Sequence, residues 1–188
     1  MARGWANTEL TLRAHAPPVA EWEIRAGELD LAVRIMREVA QWCIDTGRPM
    51  WTLDELTAEA LLRHPPAEAD FRVARFYGEP AAAMILQWRD PLFWPRVPAG
   101  ESGFLHKLCV RRAFAGRGLS ARMVEAAAAE CRERQASWLR LDTDNGRVKL
   151  CRLYEGMGFV KVGNMTTENR RYALFERRVI ETDRQRHS

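Results

Sequence analysis

Residues 105–119 read LHKLCVRRAFAGRGL, and this stretch decides the fold. It begins with an apolar run of strand-forming residues that ends at Val110, and an Ala-rich helical pattern starts at Leu119. A basic turn that contains glycines joins the two. Glycines let backbone N–H groups approach a phosphate, a helix start adds about half a positive charge, and arginines add full charges. The stretch therefore predicts a strand, a turn and a helix that together bind a pyrophosphate.

The composition is that of a globular protein. The 188 residues are 47% hydrophobic and 29% charged, enough for one domain with a sizeable core. The four cysteines lack metal-ligand spacing, so we expect reduced thiols and no metal site. The net charge of +4 suits an anionic ligand, but no basic block or basic aromatic stripe indicates nucleic-acid binding. No run of 18 apolar residues and no signal-peptide centre occurs, so we expect a cytoplasmic protein that does not enter membranes.

Hydrophobic periodicity divides the chain into strands and helices. Residues 1–20 read as an irregular leader, 21–180 as one domain and 181–188 as a polar tail. Within the domain the predicted order is β-α-α-β-β-β-α-β-α-β-β, which indicates a mixed sheet with helices on both faces. The alternation of apolar and basic residues at 71–77 is typical of an exposed strand. Predicted strands cover 22–25, 71–77, 81–88, 103–110, 138–142, 159–162 and 172–177, and predicted helices cover 28–46, 52–64, 119–135 and part of 147–156.

This order resembles the GNAT superfamily of acyl-CoA-dependent N-acyltransferases, through LHKLCVRRAFAGRGLS at 105–120 and LYEGMGF at 153–159. The strand motif is similar to that of the serotonin N-acetyltransferase branch. The resemblance covers roughly residues 22–178. It implies an α/β (α+β), single-domain GNAT-like fold with a mixed, mostly antiparallel sheet and helices on both faces. It also implies acetyl-CoA as the acyl donor.

The same resemblance places the acetyl-CoA site. The family's loop usually reads Arg/Gln-x-x-Gly-x-Gly/Ala, and here Ala115, Gly118 and Ser120 hold those positions, so two of the three depart from it. The backbone of the preceding strand would pair with the pantetheine arm. Where the family often has an Asn seven residues before its tyrosine, this chain has Arg147, and Asn145 is the nearby substitute. The implied donor-binding residues are Leu108, Cys109, Val110, Arg112, Gly116, Arg117, Gly118, Leu119, Ser120 and Asn145.

Acyl transfer to an amine needs a base for the amine proton and an acid for the leaving thiolate. In the serotonin branch a histidine at the position of His106 helps to take the amine proton, and histidine suits this task near neutral pH. Tyr154 matches the family's Y-x-x-x-G-F element, whose tyrosine can protonate the thiolate. The alternatives are a packed strand histidine and a buried helical aromatic. Asp142, Asp144 and Glu101 are alternative bases or amine-binding groups.

The aromatic residues near the irregular segment 90–102 indicate a pocket for an apolar or aromatic amine. Trp42, Phe93, Trp94 and Asp142 are the predicted substrate-binding residues, and ordinary core packing is the alternative for the tryptophans. We therefore predict an N-acetyltransferase that acetylates a primary amine of a small molecule, with a homodimer considered as its assembly. The alternatives are transfer of a longer acyl group, an acyl-CoA-binding sensor without catalysis, and a basic nucleic-acid-binding module.

Overall fold

A computed structural model describes residues 21–63, 67–167 and 170–180. Seven strands form one sheet in the order β1-β2-β3-β4-β5-β7-β6, where only the β4–β5 pair is parallel. The strands are β1 (Trp22–Ala26), β2 (Phe71–Phe76), β3 (Glu79–Gln87), β4 (Ser102–Val110), β5 (Trp138–Asp144), β6 (Val160–Thr166) and β7 (Arg171–Arg178). The α-helices are α1 (Leu29–Asp45), α2 (Ala58–Leu62), α3 (Leu119–Glu133) and α4 (Val148–Gly156).

The sheet separates two hydrophobic cores. On one face α1 packs against β2, β3 and β4, with Met36 and Phe71 fully buried between them. On the other face α3 packs against β3, β4 and β5, where Met123 and Leu139 are fully buried. The predicted mixed, mostly antiparallel α/β fold and its element order are confirmed. No helix among the described residues is both long and apolar enough to cross a membrane.

The prediction of an exposed strand at 71–77 is wrong. Residues 71–74 of β2 are buried because β2 has a strand on each side, α1 packs against one face, and Ala74 joins the core on the other. Arg72 is only 4% exposed, and its guanidinium donates to both carboxylate oxygens of Glu130 in α3, at 2.9 and 2.7 Å. An alternating basic residue therefore marks a buried ion pair here and not a solvated face.

The single helix predicted for residues 52–64 is broken in two. The expected capping box forms, since Thr52 and Glu55 exchange two hydrogen bonds of 3.3 Å, but it opens only a 3₁₀ turn at Asp54–Leu56. Thr57 then takes an extended conformation, and its hydroxyl accepts a hydrogen bond from the Ala60 N–H to cap α2. The predicted end of this helix, the leader at 1–20 and the tail at 181–188 lie outside the described residues.

β4 carries a bulge on its β3 side and separates from β5 on its other side. Ala83 pairs with Cys109 and Ile85 with His106, so β4 uses three residue steps where β3 uses two. The extra residue is Lys107, whose φ of 48° lies in the left-handed region. β4 pairs with β5 only at residues 102–105, although both strands continue further. In the part of the chain that the structure describes, the end of β4 thus has no strand partner on its β5 side.

Candidate functional site

A cavity of about 320 Å³ lies where β4 and β5 diverge. Leu105, Lys107 and Leu108 of β4 form one wall, and residues 142–144 of β5 form another. Four connecting segments, α4 and β7 supply the rest. They contribute Met50, Trp51, Glu55, Leu92, Phe93, Arg147, Leu150, Tyr154, Arg170 and Tyr172. The cavity therefore combines aromatic walls with carboxylates and cations at an opening between two strands.

His106 lies between two carboxylates. Its Nδ1 is 3.5 Å from Asp142 Oδ1, and its Nε2 is 3.6 Å from Asp90 Oδ2. Asp142 lines the cavity and His106 does not, so the imidazole stands behind the carboxylate. Glu101, another carboxylate considered from the sequence, instead pairs with Arg140 at 2.8 Å and is not part of the cavity wall. The two groups expected to compete as base, His106 and Asp142, form one pair.

The same three residues could be considered as metal ligands, because Asp90, His106 and Asp142 each bring one atom within 4.8 Å of the others. The two carboxylates, however, face different nitrogens of the same imidazole ring. A metal ion binds a histidine through one nitrogen, so it would use only one of these two nitrogen–carboxylate contacts. The arrangement suits proton exchange along the ring better than a shared ion.

Tyr154 lines the cavity from α4. Its ring packs against Phe159 and Phe175, with ring centres 5.8 and 6.3 Å apart, and the residue is 8% exposed. Burial raises the pKa of Tyr154, and the nearby Asp142 raises it further. The phenol therefore keeps its proton at neutral pH, the state that a proton donor to a thiolate requires.

The residues from the end of β5 to the start of α4 divide into two groups. Asp144 and Arg147 line the cavity. Asn145, predicted to contact the acyl donor, does not, and its Oδ1 accepts a 2.6 Å hydrogen bond from Lys161 Nζ. Arg147 donates to the backbone carbonyl of Pro49, which ties the segment after α1 to the cavity rim. Arg147 holds the sequence position where the family often has an Asn, and it lines the cavity. Asn145, considered as the substitute for that Asn, does not.

The turn between β4 and α3 has the backbone that an anion site needs. Gly116 and Gly118 have φ values of 78° and 72°, which other residues rarely adopt. The first hydrogen bond of α3 runs from the Arg122 N–H to the Gly118 carbonyl at 3.2 Å. The N–H groups of Leu119 and Ser120 precede that bond, and a helix start of this kind binds phosphates.

The two arginines predicted to add charge to this turn lie against aromatic rings. The Arg112 guanidinium is 4.3 Å from the ring centre of Trp42, and that of Arg117 is 5.4 Å from the ring centre of Phe76. Both arginines are exposed. Trp42, predicted to bind substrate, packs between Arg112 and the core on the α1 face and does not line the cavity.

The strand residues predicted to hold the pantetheine arm alternate across β4. Leu108 lines the cavity, Cys109 is buried in the core on the α1 face, and Val110 packs against the core on the α3 face. The predicted contact uses their backbone N–H and C=O groups. The edge that β4 presents where β5 diverges is therefore the relevant feature, and their side chains serve packing.

The aromatic loop between β3 and β4 contributes one of its two predicted residues. Phe93 lines the cavity and meets Tyr172 edge-on, with ring centres 5.0 Å apart. Trp94 does not line it, because the turn that joins its N–H to the Asp90 carbonyl directs the indole toward Phe104, 6.4 Å away between ring centres.

Lys107 and Trp51 were not anticipated from the sequence. The Lys107 ammonium lies 5.1 Å from the ring centre of Trp51, and both residues line the cavity. Burial lowers the pKa of Lys107, against the opposing effect of Glu55 and Asp142. Nothing in the hydrophobic pattern singles out either residue, because a bulge and a loop contact create their positions.

Known proteins resemble the chain in sequence. A model of the acetyltransferase (GNAT) family matches residues 34–159. A protein of Bacillus subtilis described as uncharacterized N-acetyltransferase YesJ is 31% identical over 106 residues. That alignment covers 54% of this chain and 57% of the relative, so the chain spans little more than half the length of this curated relative.

Solved structures share the fold. A GNAT-family acetyltransferase of Listeria monocytogenes superposes with a TM-score of 0.64 and 20% identity, covering 84% of this chain and 94% of that one. Aminoglycoside acetyltransferase AAC(6')-Ib, in complex with coenzyme A and kanamycin, gives a TM-score of 0.65 and 15% identity over the same shares. The yncA protein of Salmonella typhimurium, solved with acetyl-CoA, gives 0.57 and 14%, covering 90% of this chain and 100% of that one.

Proposed function

The chain belongs to the GNAT acetyltransferase family, whose model matches more than half of it, and from this premise we propose that it transfers an acetyl group from acetyl-CoA to a primary amine of a small molecule. The observation that carries the proposal is the divergence of β4 from β5 beside a cavity that Tyr154 and Asp142 line, with His106 behind Asp142. A donor threaded through this opening would bring its thioester to an acid and a base at once.

The residues present fit acetyl-CoA. The β4 edge beyond Leu105 offers backbone groups in the way that a sheet accepts an added strand, and the pantetheine amides can use them. The pyrophosphate would then reach the glycine turn and the start of α3, where N–H groups and the exposed Arg112 and Arg117 supply positive charge. Ala115 removes one side chain that usually assists, and the backbone donors remain.

The proposed chemistry is direct attack. The amine nitrogen forms a bond to the acetyl carbonyl carbon, and the C–S bond to coenzyme A breaks. Asp142, which lines the cavity, and His106 behind it receive the proton that leaves the amine. Tyr154, whose pKa is raised by burial, gives its proton to the departing thiolate.

The acceptor side of the cavity supports a small aromatic or apolar amine. Trp51, Phe93 and Tyr172 offer ring faces and edges, while Asp142 and Glu55 offer negative charge to an ammonium group. AAC(6')-Ib, which shares the fold, was solved with kanamycin, an amine-rich small molecule. The aromatic and acidic lining of the cavity favours an acceptor among small molecules.

The test is calorimetric titration with acetyl-CoA, coenzyme A and a longer acyl-CoA, followed by a thiol-release assay with a panel of aromatic and aliphatic primary amines. We expect micromolar binding that favours acetyl-CoA, and coenzyme A release with at least one amine. Preference for the longer donor would favour transfer of a longer acyl group. Binding without release across the panel would favour an acyl-CoA sensor, and absence of binding would remove the proposal.

A further inference from the structure

Asp90 lies behind His106, at the start of the loop that joins β3 to β4. Its side chain is 6% exposed, and its Oδ2 is 3.6 Å from His106 Nε2. Both of these atoms are buried and lack a hydrogen-bond partner among the described residues. Because an unpaired buried polar atom is costly, two such atoms that face each other indicate that they share a proton.

The other oxygen of Asp90 is already engaged. Asp90 Oδ1 accepts hydrogen bonds from the backbone N–H groups of Leu92 and Phe93, at 3.2 and 3.0 Å. The Asp90 carbonyl accepts another from the Trp94 N–H at 3.0 Å. These bonds hold the carboxyl group so that Oδ2 is the oxygen presented to the imidazole. A carboxylate oxygen can only accept, so Nε2 is the nitrogen that should carry hydrogen.

The tautomer decides what the cavity side of the ring can do. With hydrogen on Nε2, a neutral imidazole has a free lone pair on Nδ1. That nitrogen lies 3.5 Å from Asp142 Oδ1, which is an acceptor as well. Two acceptors side by side attract a donor, and the group that arrives through the cavity is the amine. The Nδ1–H tautomer would instead place the lone pair of the ring on Nε2, which faces Asp90 and not Asp142.

We propose that Asp90 is a positioning residue, which holds His106 in the Nε2–H tautomer so that Nδ1 and Asp142 together receive the proton that leaves the acceptor amine. This inference rests on the proposed function. When the proton arrives, the imidazolium has a carboxylate at each nitrogen, and the negative charge of Asp90 stabilises it. Asp90 itself contacts neither donor nor acceptor. Burial raises the pKa of Asp90, whereas the Phe93 N–H and the charge of a protonated His106 oppose that effect and favour the carboxylate.

Two substitutions separate this role from simple support of the loop. Asp90→Asn keeps an oxygen for the Leu92 and Phe93 N–H groups and therefore turns its NH₂ group toward Nε2. That donor forces the imidazole hydrogen to Nδ1. Asp90→Ser keeps a hydroxyl oxygen for the loop and puts no fixed donor against Nε2. We expect kcat to fall about 10²–10³-fold in Asp90→Asn and about tenfold in Asp90→Ser, with acetyl-CoA affinity unchanged in both.

The test is which of these two variants is more active, because Asn matches Asp in shape better than Ser does. If Asp90 merely supported the loop, Asp90→Asn would be the more active variant. Activity of Asp90→Asn equal to or above that of Asp90→Ser would therefore overturn the proposal. Asp30→Asn, which changes an exposed carboxylate at the start of α1, is the matched control and should keep full activity.

A second readout does not need turnover. The chain has four histidines, and the ¹⁵N imidazole signals of His106 can be assigned by their loss in His106→Gln. We expect the Nε2–H pattern in the unsubstituted protein and the Nδ1–H pattern in Asp90→Asn. An Nδ1–H pattern in the unsubstituted protein would overturn the inference even if acetyl transfer is found. Failure of every amine in the transfer assay, with the expected tautomers present, would count against the proposed function alone.

Discussion

The base proposed for amine deprotonation is a pair of residues, because Asp142 lines the cavity and His106 lies directly behind it. Asp142 is 14% exposed in its side chain and His106 18%, so neither is free in solvent. A lone surface carboxylate would be a weak base at neutral pH. Backed by an imidazole, it can pass a proton inward and regain its charge for the next turnover.

His106→Gln should therefore lower kcat by about 10²–10⁴-fold and remove the acidic limb of the pH profile, since protonation of the base stops transfer at low pH. Asp142→Asn should lower kcat and also raise KM for the amine, because it removes the group that meets the ammonium. Steady-state kinetics between pH 5 and pH 9 would check both. If the pH profile of His106→Gln matched that of the unsubstituted protein, His106 would be excluded as part of the base.

Tyr154→Phe should slow transfer while leaving the acetyl-CoA Kd and the midpoint of thermal unfolding nearly unchanged. The ring contacts with Phe159 and Phe175 survive the substitution, and only the hydroxyl is lost. The loss in kcat should be about 10²-fold or more, in the range of general acid catalysis. Phe159→Leu, which alters the same aromatic cluster without touching the proposed acid, is the control. Full activity of Tyr154→Phe would make the tyrosine a packing residue.

Residues within contiguous motifs could be predicted from the sequence, and residues that loops bring together could not. Tyr154 and the glycine turn stand in short patterns, so their places follow from local order alone. Lys107 reaches the cavity where β4 bulges, and Asp90 meets His106 through the loop that joins β3 to β4. Neither event leaves a periodic signal, since both depend on contacts across the sheet.

At the scale of elements, the strand–turn–helix unit from β4 to α3 meets two requirements of the proposed acetyl-CoA site. The strand must leave its edge open where β5 diverges, and the turn must bring backbone N–H groups together at the start of α3. Both requirements concern the backbone, which explains how the departures at Ala115 and Ser120 are compatible with the same fold. Substitution should therefore be tolerated least at Gly116 and Gly118, the two glycines of the turn with a positive φ.

Gly118→Ala should weaken acetyl-CoA binding and destabilise the fold. An added Cβ would meet nothing within 4 Å, so the cost arises from the φ of 72° alone, about 1 kcal/mol. Relaxing that strain would shift the first turn of α3 and its N–H donors. Gly156→Ala, at an equally open position in α4 without a positive φ, is the control and should be neutral or slightly stabilising. Calorimetry and urea unfolding would measure both, and equal effects of the two substitutions would contradict the argument.

The junction of α1 with β2 should give the protein part of its acid sensitivity. Glu28, just before α1, accepts two 2.7 Å hydrogen bonds from Arg75 in β2. These bonds lower the pKa of Glu28 below 4.5 despite the opposing effect of burial. The stability they provide is therefore complete above the unfolded-state pKa and is lost as the pH falls through the lower folded-state pKa.

Glu28→Gln should accordingly reduce the free energy of unfolding by about 1 kcal/mol at pH 7 and by much less near pH 3. Urea unfolding at the two pH values would measure the difference. Glu59→Gln removes a partner of the exposed Glu59–Arg63 pair and should change stability by less than about 0.5 kcal/mol at either pH. A Glu28→Gln effect that grows at low pH would show that the sign is wrong.

At the scale of the whole molecule, the sheet is covered by two separate cores, and β2 helps to join them. Phe71 and Val73 pack into the α1 core, whereas Ala74 packs into the α3 core. The order of elements could be read from the sequence because each element has its own period. The burial of β2 could not, since β1, α1 and Glu130 of α3, which cover it, come from distant parts of the chain. Arg72 looked like a surface residue because its partner Glu130 is 58 residues away.

Removing Arg72 and removing Glu130 should therefore lower the free energy of unfolding by different amounts. Arg72 is 5% exposed in its side chain and Glu130 is 28% exposed. Glu130→Ala leaves a cation buried under α3 without its carboxylate, and we expect a loss of about 3 kcal/mol in the free energy of unfolding. Arg72→Met leaves a carboxylate that can turn to solvent, so the loss should be about half as large. The double variant should be more stable than Glu130→Ala alone, because it no longer buries an uncompensated charge. Urea unfolding of the three variants would decide this, and additive losses in the double variant would mean that the two side chains act independently.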